Sequence, residues 1–427
     1  MGWLVKGAVR LVERYLPDPF VLVMLLTLLV LGLAIGVEGM APMAAVNTWG
    51  KGFWNLLTFA MQMALILVLG HLVASTPPVR KGLGALARML PGPKSAIVAV
   101  TLVALLASWL NWGFGLVVGA FFARAIAREM AVDYKLLVAS AYSGFLIWHA
   151  GLSGSIPLTI NTPGHFEEKA IGLIPTSQTI FAGYNLLIVL ALVIVMPLLN
   201  MLMLDKNTKL AKVESQDDSQ LTAGYGPGLN SRWPTLLTAA LMLAWLLPYF
   251  FGGGGLNLNV LNLCFLTLAL LLFGTAARFL GALPQAVSTA GGILIQFPFY
   301  AGIMALMQSS GLATDLAQFF VHISDQQSLP LWTFLSGGII NLFVPSGGGQ
   351  WAVQAPVMLP AAAALNVDVA KVAMAVAWGD AWTNLLQPFW ALPVLAIAGL
   401  GARDIMGYCL IQLLVSGVII ALGLSFF

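Results

Sequence analysis

Residues 340–353 read INLFVPSGGGQWAV, a polar, proline- and glycine-rich interruption within a long apolar stretch. Pro345 disfavours continuing a helix from the residues before it, since it lacks an N–H and restricts its predecessor. The glycines after it would let successive backbone N–H groups face a ligand without side-chain obstruction. A helix starting there would also offer the partial positive charge of its N-terminus to an anion. Ser346 accepts and donates, and Asn341 supplies an acceptor and two donors. The competing explanation is that the glycines serve close helix packing and the asparagine bonds a neighbour. The run as a whole favours a ligand site at a helix break.

The rest of the chain says what surrounds that break. Of 427 residues, 19 are Lys or Arg and 16 are Asp or Glu, so 8% are charged and the net charge is +3. A soluble protein carries roughly 25% charged residues. Here 60% of residues are hydrophobic and the mean hydropathy is +0.93, which makes the chain an integral membrane protein. No basic stripe suggests a nucleic-acid partner. Cys264 and Cys409 lie in apolar runs and indicate neither a disulfide framework nor a metal site. No H-E-x-x-H or P-loop motif occurs, and no cofactor is expected.

Apolar spans fall at 20–37, 53–75, 175–204, 233–251, 257–274, 286–308 and 405–427. Residues 96–130 and 328–366 are apolar but broken by Asn, Gly and Pro, and the segments after them, 135–163 and 369–399, are broken too. Non-helical backbone at membrane depth is tolerated only where protein buries it or it lines a cavity. The halves also correspond: Gln62 with Gln296, Asn111 with Asn341 and Lys135 with Lys371, at offsets of 234, 230 and 236. Basic residues flank 96–130 on both sides, whereas 328–366 has mostly acidic flanks. If Lys and Arg mark the cytoplasm, these are re-entrant hairpins from opposite faces. The expected architecture is an all-α polytopic protein of two inverted repeats, with about nine crossings and two hairpins. An amphipathic interfacial helix occupies 1–16, the first repeat 17–204 and a polar cytoplasmic linker 205–232. The span 233–251 then connects to a second repeat over 257–427. Inverted repeats with broken helices point to a secondary transporter.

Candidate chemistry gathers at the breaks. The first hairpin tip, Asn111-Trp112-Gly113-Phe114-Gly115, answers the second at Asn341 and Ser346-Gly347-Gly348-Gly349-Gln350. Ser153 and Ser155 lie at one broken crossing and Thr383 and Asn384 at the other, with oxygens suited to an anion shell or to Na⁺. Asp380 is the one acid inside a long apolar stretch, where a charged Asp costs ~2.5–3.5 kcal/mol without a partner, water or a proton. Asp380 and His149 are the candidate ion-coupling residues. His149 and His71 are the other titratable candidates, and each also reads as a satisfied interior histidine. Gly151-Leu152-Ser153-Gly154 is like the Gly-x-Ser-Gly of intramembrane serine proteases, but the later histidines His165 and His322 fall in expected loops.

Several longer motifs carry a family resemblance. They are Pro17-Asp18-Pro19, Gly52-Phe53-Trp54-Asn55-Leu56, Asn111 to Gly119, Gly154-Ser155, Gln296 to Gly302, Val344 to Gly349, Gln387 to Pro393 and Arg403 to Tyr408. In order and over nearly the whole chain, they resemble the bacterial short-chain fatty acid transporter family. The resemblance implies inner-membrane uptake of acids such as butyrate or acetoacetate. More distantly the chain is similar to the ion-transporter superfamily, in which hairpin tips bind anion and cation together. Three positions depart from the family pattern: Gln350 where His often stands, Asp380 where Glu is common, and His149-Ala150 in place of Gly-Gly.

The resulting expectation is a non-enzymatic carrier for a small monocarboxylate in the bilayer, with H⁺ or Na⁺ as partner and a homodimer as its assembly. The carboxylate would sit between the tips, with Ser346, Gly347, Gly348 and Asn341 opposite Asn111 and Gly113. Trp112, Trp148, Phe389 and Trp390 would wall the acyl tail. A channel, an intramembrane hydrolase built on Ser153 and a sensor are the alternatives. The inverted arrangement places the C-terminus outside, so a reporter fused to Phe427 should give no cytoplasmic signal; a cytoplasmic signal would contradict it.

Overall fold

The computed structural model describes residues 19–204, 230–387 and 389–426. The expected interfacial helix at 1–16, Pro17-Asp18, most of the linker and Pro388 lie outside them. Every extended element among the described residues is a helix. Counting helices of five residues or more, the first half contains α1 (Pro19–Gly36), α2 (Pro42–Gly52), α3 (Leu57–Ala74), α4 (Pro77–Arg88), α5 (Pro93–Leu110), α6 (Trp112–Glu129), α7 (Tyr134–Ser143), α8 (Ser155–Thr159) and α9 (Gly183–Leu202). A tight helical segment, Gly144–Ala150, continues α7. After α10 (Trp233–Phe251), the second half repeats the order: α11 (Leu258–Phe273), α12 (Ala276–Ser288), α13 (Gly291–Ser310), α14 (Leu312–Ile323), α15 (Leu329–Asn341), α16 (Gly347–Ala364), α17 (Val369–Thr383), α18 (Ala391–Ala398) and α19 (Ala402–Phe426).

Seven described helices are long and apolar enough to cross a membrane. Six are expected crossings, counting Tyr134–Thr159 as one, and the seventh is the hairpin arm α5. The shorter α1 and α11 match two further expected spans, and the remaining expected crossing, 369–399, divides into α17 and α18. The protein is thus all-helical and multi-pass. Four short helices, α2, α4, α12 and α14, lie largely between the expected spans. Proline at the first positions of α2 and α4 suits a helix start, where no N–H is needed.

Packing is reciprocal between the halves. Helix α1 lies on α13 as α11 lies on α3, and α2 lies on α13 as α12 lies on α3. Likewise α18 packs on α6, and α8 on α16. Each half therefore completes the other's core. Polar contacts also sort by end. Lys135 pairs with Asp404 at 2.6 Å at one end. At the other, Gln308 donates to Glu167 at 3.3 Å and Lys371 sits over the Tyr184 ring at 5.9 Å.

Both hairpins are seated through glycine. A Cβ on Gly144 would lie 2.6 Å from the Leu105 backbone N in α5, and one on Gly379 would lie 2.8 Å from the Gly338 N in α15. These glycines are 235 residues apart and perform the same task. Overpacking against side chains costs about 1–3 kcal/mol, and here the neighbour is backbone that cannot rotate away. Gly144→Ala and Gly379→Ala should each lower the thermal midpoint of the purified protein. Gly32→Ala, with open space around it, should leave the midpoint unchanged or raise it slightly. Equal tolerance of all three changes would contradict this seating.

Candidate functional site

Each hairpin turns by the same capping device. Asn111 is extended (φ −156°, ψ 125°), and its Oδ1 accepts from the Phe114 N–H at 2.9 Å. Ser346 is extended as well (φ −155°, ψ 109°), and its Oγ accepts from Gly349 at 3.4 Å. By this role Asn111 corresponds to Ser346, at an offset of 235, rather than to Asn341. Asn341 is instead the last residue of the incoming arm α15, and Leu342–Pro345 link it to the cap.

The glycines expected to open the second tip to a ligand are closely packed. A Cβ on Gly347 would meet the His149 and Trp148 rings, one on Gly348 the Phe59 ring and one on Gly349 the Tyr300 ring. Gly113 similarly lies against the backbone of Leu67. The packing role is therefore realised. The Gly347 and Gly348 N–H groups nevertheless have no hydrogen-bond partner among the described residues, as expected at a helix start.

The second break holds a dense polar cluster, fully buried. Asn341 Nδ2 donates to the Asp380 carbonyl at 2.9 Å, to Thr383 Oγ1 at 3.0 Å and to Asn384 Oδ1 at 2.9 Å. Thr383 Oγ1 donates to the Gly338 carbonyl at 2.9 Å, and Gln387 Nε2 to Asn384 Oδ1 at 2.7 Å. Gln350 turns back along its hairpin, donating to the Gly337 carbonyl at 2.9 Å. These acceptors fix the orientation of both amides, leaving Asn341 Oδ1 and Gln350 Oε1 without partners among the described residues.

Asp380 and His149 join the halves. His149 Nδ1 lies 3.0 Å from Asp380 Oδ2, with both side chains at 0% exposure. The Ile156 N–H donates to His149 Nε2 at 3.0 Å. A ring nitrogen that accepts carries no proton, so the imidazole is neutral and donates through Nδ1 to the carboxylate. Asp380 Oδ1 has no hydrogen-bond partner among the described residues. His149 and Asp380 are two of the three departures noted in the sequence, and they bond to each other.

The first break is aromatic. Trp148 contacts Trp112 (centroids 5.7 Å apart), stacks on His149 (4.1 Å) and lies against Gly347, so its indole stands between the two tips. Trp112 meets Trp390 at 5.1 Å, and Phe389 packs on Trp390 at 4.8 Å. The indole N–H groups of Trp112, Trp148 and Trp390 and the Nδ2 groups of Asn111 and Asn384 are buried without partners among the described residues. Ser153 does not join the polar cluster: its Oγ accepts from the Trp112 N–H at 2.8 Å. Ser155 is buried at the start of α8, and its carbonyl accepts from Thr159 Oγ1. The sequence reading overlooked Tyr142, whose hydroxyl donates to the Asn384 carbonyl at 2.6 Å, and Phe145, stacked on Trp148 at 5.3 Å. It also overlooked Phe59, which no motif singled out. His71 is buried on α3 away from this cluster.

Two cavities bear on access. One of about 200 Å³, lined by Asn55, Phe59, Thr159, His165 and Phe166 among others, abuts the second tip through Phe59. A larger apolar groove of about 960 Å³ runs between α3 and α11–α13 and contains none of the tip residues.

Over residues 1–427 the sequence matches the family described as short chain fatty acid transporter. The chain belongs to that family. An Escherichia coli (strain K12) protein named for short-chain fatty acid transport is 45% identical over 439 residues, covering 100% of both chains. One from Haemophilus influenzae (strain ATCC 51907 / DSM 11121 / KW20 / Rd), similarly named, is 43% identical over 434 residues, covering 97% of each. The fold is similar to that of the Alcanivorax borkumensis YdaH transporter, whose crystal structure reveals an unusual topology. The TM-score there is 0.58 at 18% identity, over 95% of this chain and 98% of that one.

The surroundings of Ser153 are not those of an activated nucleophile. His149 directs its nitrogens at Asp380 and Ile156, and Ser153 Oγ is engaged by Trp112. A fluorophosphonate probe should leave Ser153 unlabelled in the membrane-embedded protein. Stoichiometric labelling at that residue would revive the hydrolase reading.

Proposed function

We propose that this member of the short-chain fatty acid transporter family imports a small monocarboxylate together with a proton, by alternating access. The observation that carries the proposal is a set of buried polar atoms around the breaks that have no hydrogen-bond partner among the described residues. It holds donors, Asn111 Nδ2, Asn384 Nδ2 and the indole N–H groups of Trp112, Trp148 and Trp390, and acceptors, Asn341 Oδ1, Gln350 Oε1 and Asp380 Oδ1. An unsatisfied buried polar group costs about 1–3 kcal/mol, so such a set favours a ligand that satisfies it. Donors suit a carboxylate, and the acid suits a proton.

The two ligands are linked by charge. A second anion beside an ionised Asp380, with only a neutral imidazole for company, is strongly disfavoured at low dielectric. Proton uptake on Asp380 removes that repulsion, so acid and proton bind together and move without net charge. Na⁺ is less well served. Of its expected ligands, Ser153 Oγ accepts from Trp112, Thr383 Oγ1 from Asn341, and Asn384 Oδ1 from Asn341 and Gln387. The alkyl chain would lie on the faces of Phe145, Trp112 and Trp390, where each buried CH₂ is worth about 0.8 kcal/mol, so selection by chain length is shallow.

Orientation follows from the basic residues. Arg80, Lys81, Arg88, Lys94, Arg124, Arg128, Lys135 and Arg403 share the end that carries the Lys135–Asp404 pair, which we assign to the cytoplasm. The two hairpins would then be re-entrant from opposite faces, and the 200 Å³ cavity would open outward in a bacterial inner membrane.

The test is uptake into liposomes, with protein-free liposomes correcting for diffusion of the free acid. An inward proton gradient should drive butyrate accumulation, and a Na⁺ gradient alone should not. Asp380→Asn, permanently neutral, should keep butyrate exchange while losing at least about tenfold of gradient-driven accumulation. Asn341→Ala and Ser346→Ala should depress both activities, with gel filtration as a folding control. Accumulation driven by Na⁺, or full proton-driven uptake by Asp380→Asn, would overturn the coupling assignment.

A further inference from the structure

We propose that Phe59 is a barrier residue on the path to the second tip: its ring closes the 200 Å³ cavity off from Gly348, and its displacement admits a small carboxylate. The inference rests on the reading of that tip as a ligand site. Four rings cover the tip glycines. His149 and Trp148 lie against Gly347, Phe59 against Gly348 and Tyr300 against Gly349. Of the four, only Phe59 also lines the cavity. One phenyl ring therefore stands between that space and the start of α16, where the Gly347 and Gly348 N–H groups await a partner.

The way each ring is held sets Phe59 apart. Tyr300 donates to Gln296 Oε1 at 3.2 Å, and His149 is bonded at both nitrogens. Trp148 stacks on both Phe145 and His149. Phe59 instead meets the rings of Phe166 and Phe297, with centroids 5.7 and 5.5 Å away. Turning its side chain breaks no hydrogen bond and leaves no polar group unpaired. The cavity gives the ring room to turn aside. Phe166, its neighbour on the cavity wall, belongs to the segment linking α8 to α9 rather than to a spanning helix.

The cavity is suited to passing an anion rather than holding it. Asn55, Gln62, Thr159 and Thr162 give its wall amide and hydroxyl groups, and no Lys, Arg, Asp or Glu is among the described residues that line it. His165 is neutral as well, because its Nδ1 accepts from the Glu167 N–H at 3.3 Å while Nε2 donates to the Gly172 carbonyl at 3.0 Å. A space of this size holds several waters. A carboxylate can thus enter hydrated and shed its water at the ring. With the ring in place the tip stays dry, which strengthens the electrostatic interactions made there.

The experiment follows labelling of Ser346→Cys by an anionic methanethiosulfonate in the purified full-length protein, with Cys264→Ala and Cys409→Ala removing the native thiols. Asn55→Cys, exposed on the cavity wall, should label quickly whether or not Phe59 is present. Ser346→Cys should label slowly beside Phe59 and at least about tenfold faster beside Phe59→Ala. Phe59→Leu, which keeps apolar bulk, should give a smaller acceleration, and it carries the test if gel filtration shows Phe59→Ala misfolded. Leu72→Ala, a buried truncation farther along α3, should leave the rate unchanged. Unchanged labelling in the Phe59 variants, equal acceleration by Leu72→Ala or slow labelling of Asn55→Cys would overturn the proposal. Labelling requires neither a gradient nor butyrate. Its failure therefore rejects the barrier, whereas failed butyrate uptake beside the expected labelling rejects the reading of the tip.

Discussion

Backbone released from helical hydrogen bonding inside an apolar core has to be satisfied by other parts of the protein, and this requirement organises the centre of the molecule. Few of the resulting bonds are local. The Trp112 N–H finds Ser153, the Leu152 N–H finds the Trp109 carbonyl at 2.7 Å, and the Asn384 carbonyl finds Tyr142. The Asp380 carbonyl is taken by Asn341, and the Gly338 carbonyl by Thr383. Every break is held by an element distant in sequence, so neither hairpin could keep its geometry alone. Gly144 and Gly379 belong to the same arrangement. Their missing side chains let a hairpin arm approach each broken helix closely enough for these bonds to form.

That arrangement also explains why a charge can stay in the interior. Asp380 has one oxygen held by a neutral imidazole, which is itself fixed by the Ile156 N–H of a freed backbone segment. The acid is thus positioned without being neutralised by a cation. Positioning by backbone and a neutral donor, rather than by a second charge, satisfies one carboxylate oxygen at the centre of the protein.

How much of this was legible beforehand depended on the range of the signal. The spans and the four breaks are compositional, so Pro345, the glycine run and the apolar lengths exposed them. Asp380 stood out because it was alone. Its partner did not, because His149 is 231 residues away and nothing local to it announces the bond. Shared letters also misled: Asn341 matches Asn111 in identity, but the capping function passes to Ser346, because a cap is defined by its position relative to the outgoing arm. The glycine run was read for its N–H groups, while the rings of His149, Phe59 and Tyr300 that pack against it come from three other helical segments, which only the folded chain brings together.

The two halves share a scaffold but not a chemistry. At an offset of 235, caps match caps (Asn111, Ser346) and packing glycines match packing glycines (Gly144, Gly379). The side chains turned toward the centre do not match: Trp112 corresponds to Gly347, Phe145 to Asp380 and His149 to Asn384. Symmetry is retained where both halves need the same backbone contacts. It is lost at the breaks, where the rings of the first half meet a buried acid and an amide cluster in the second, joined by the His149–Asp380 bond.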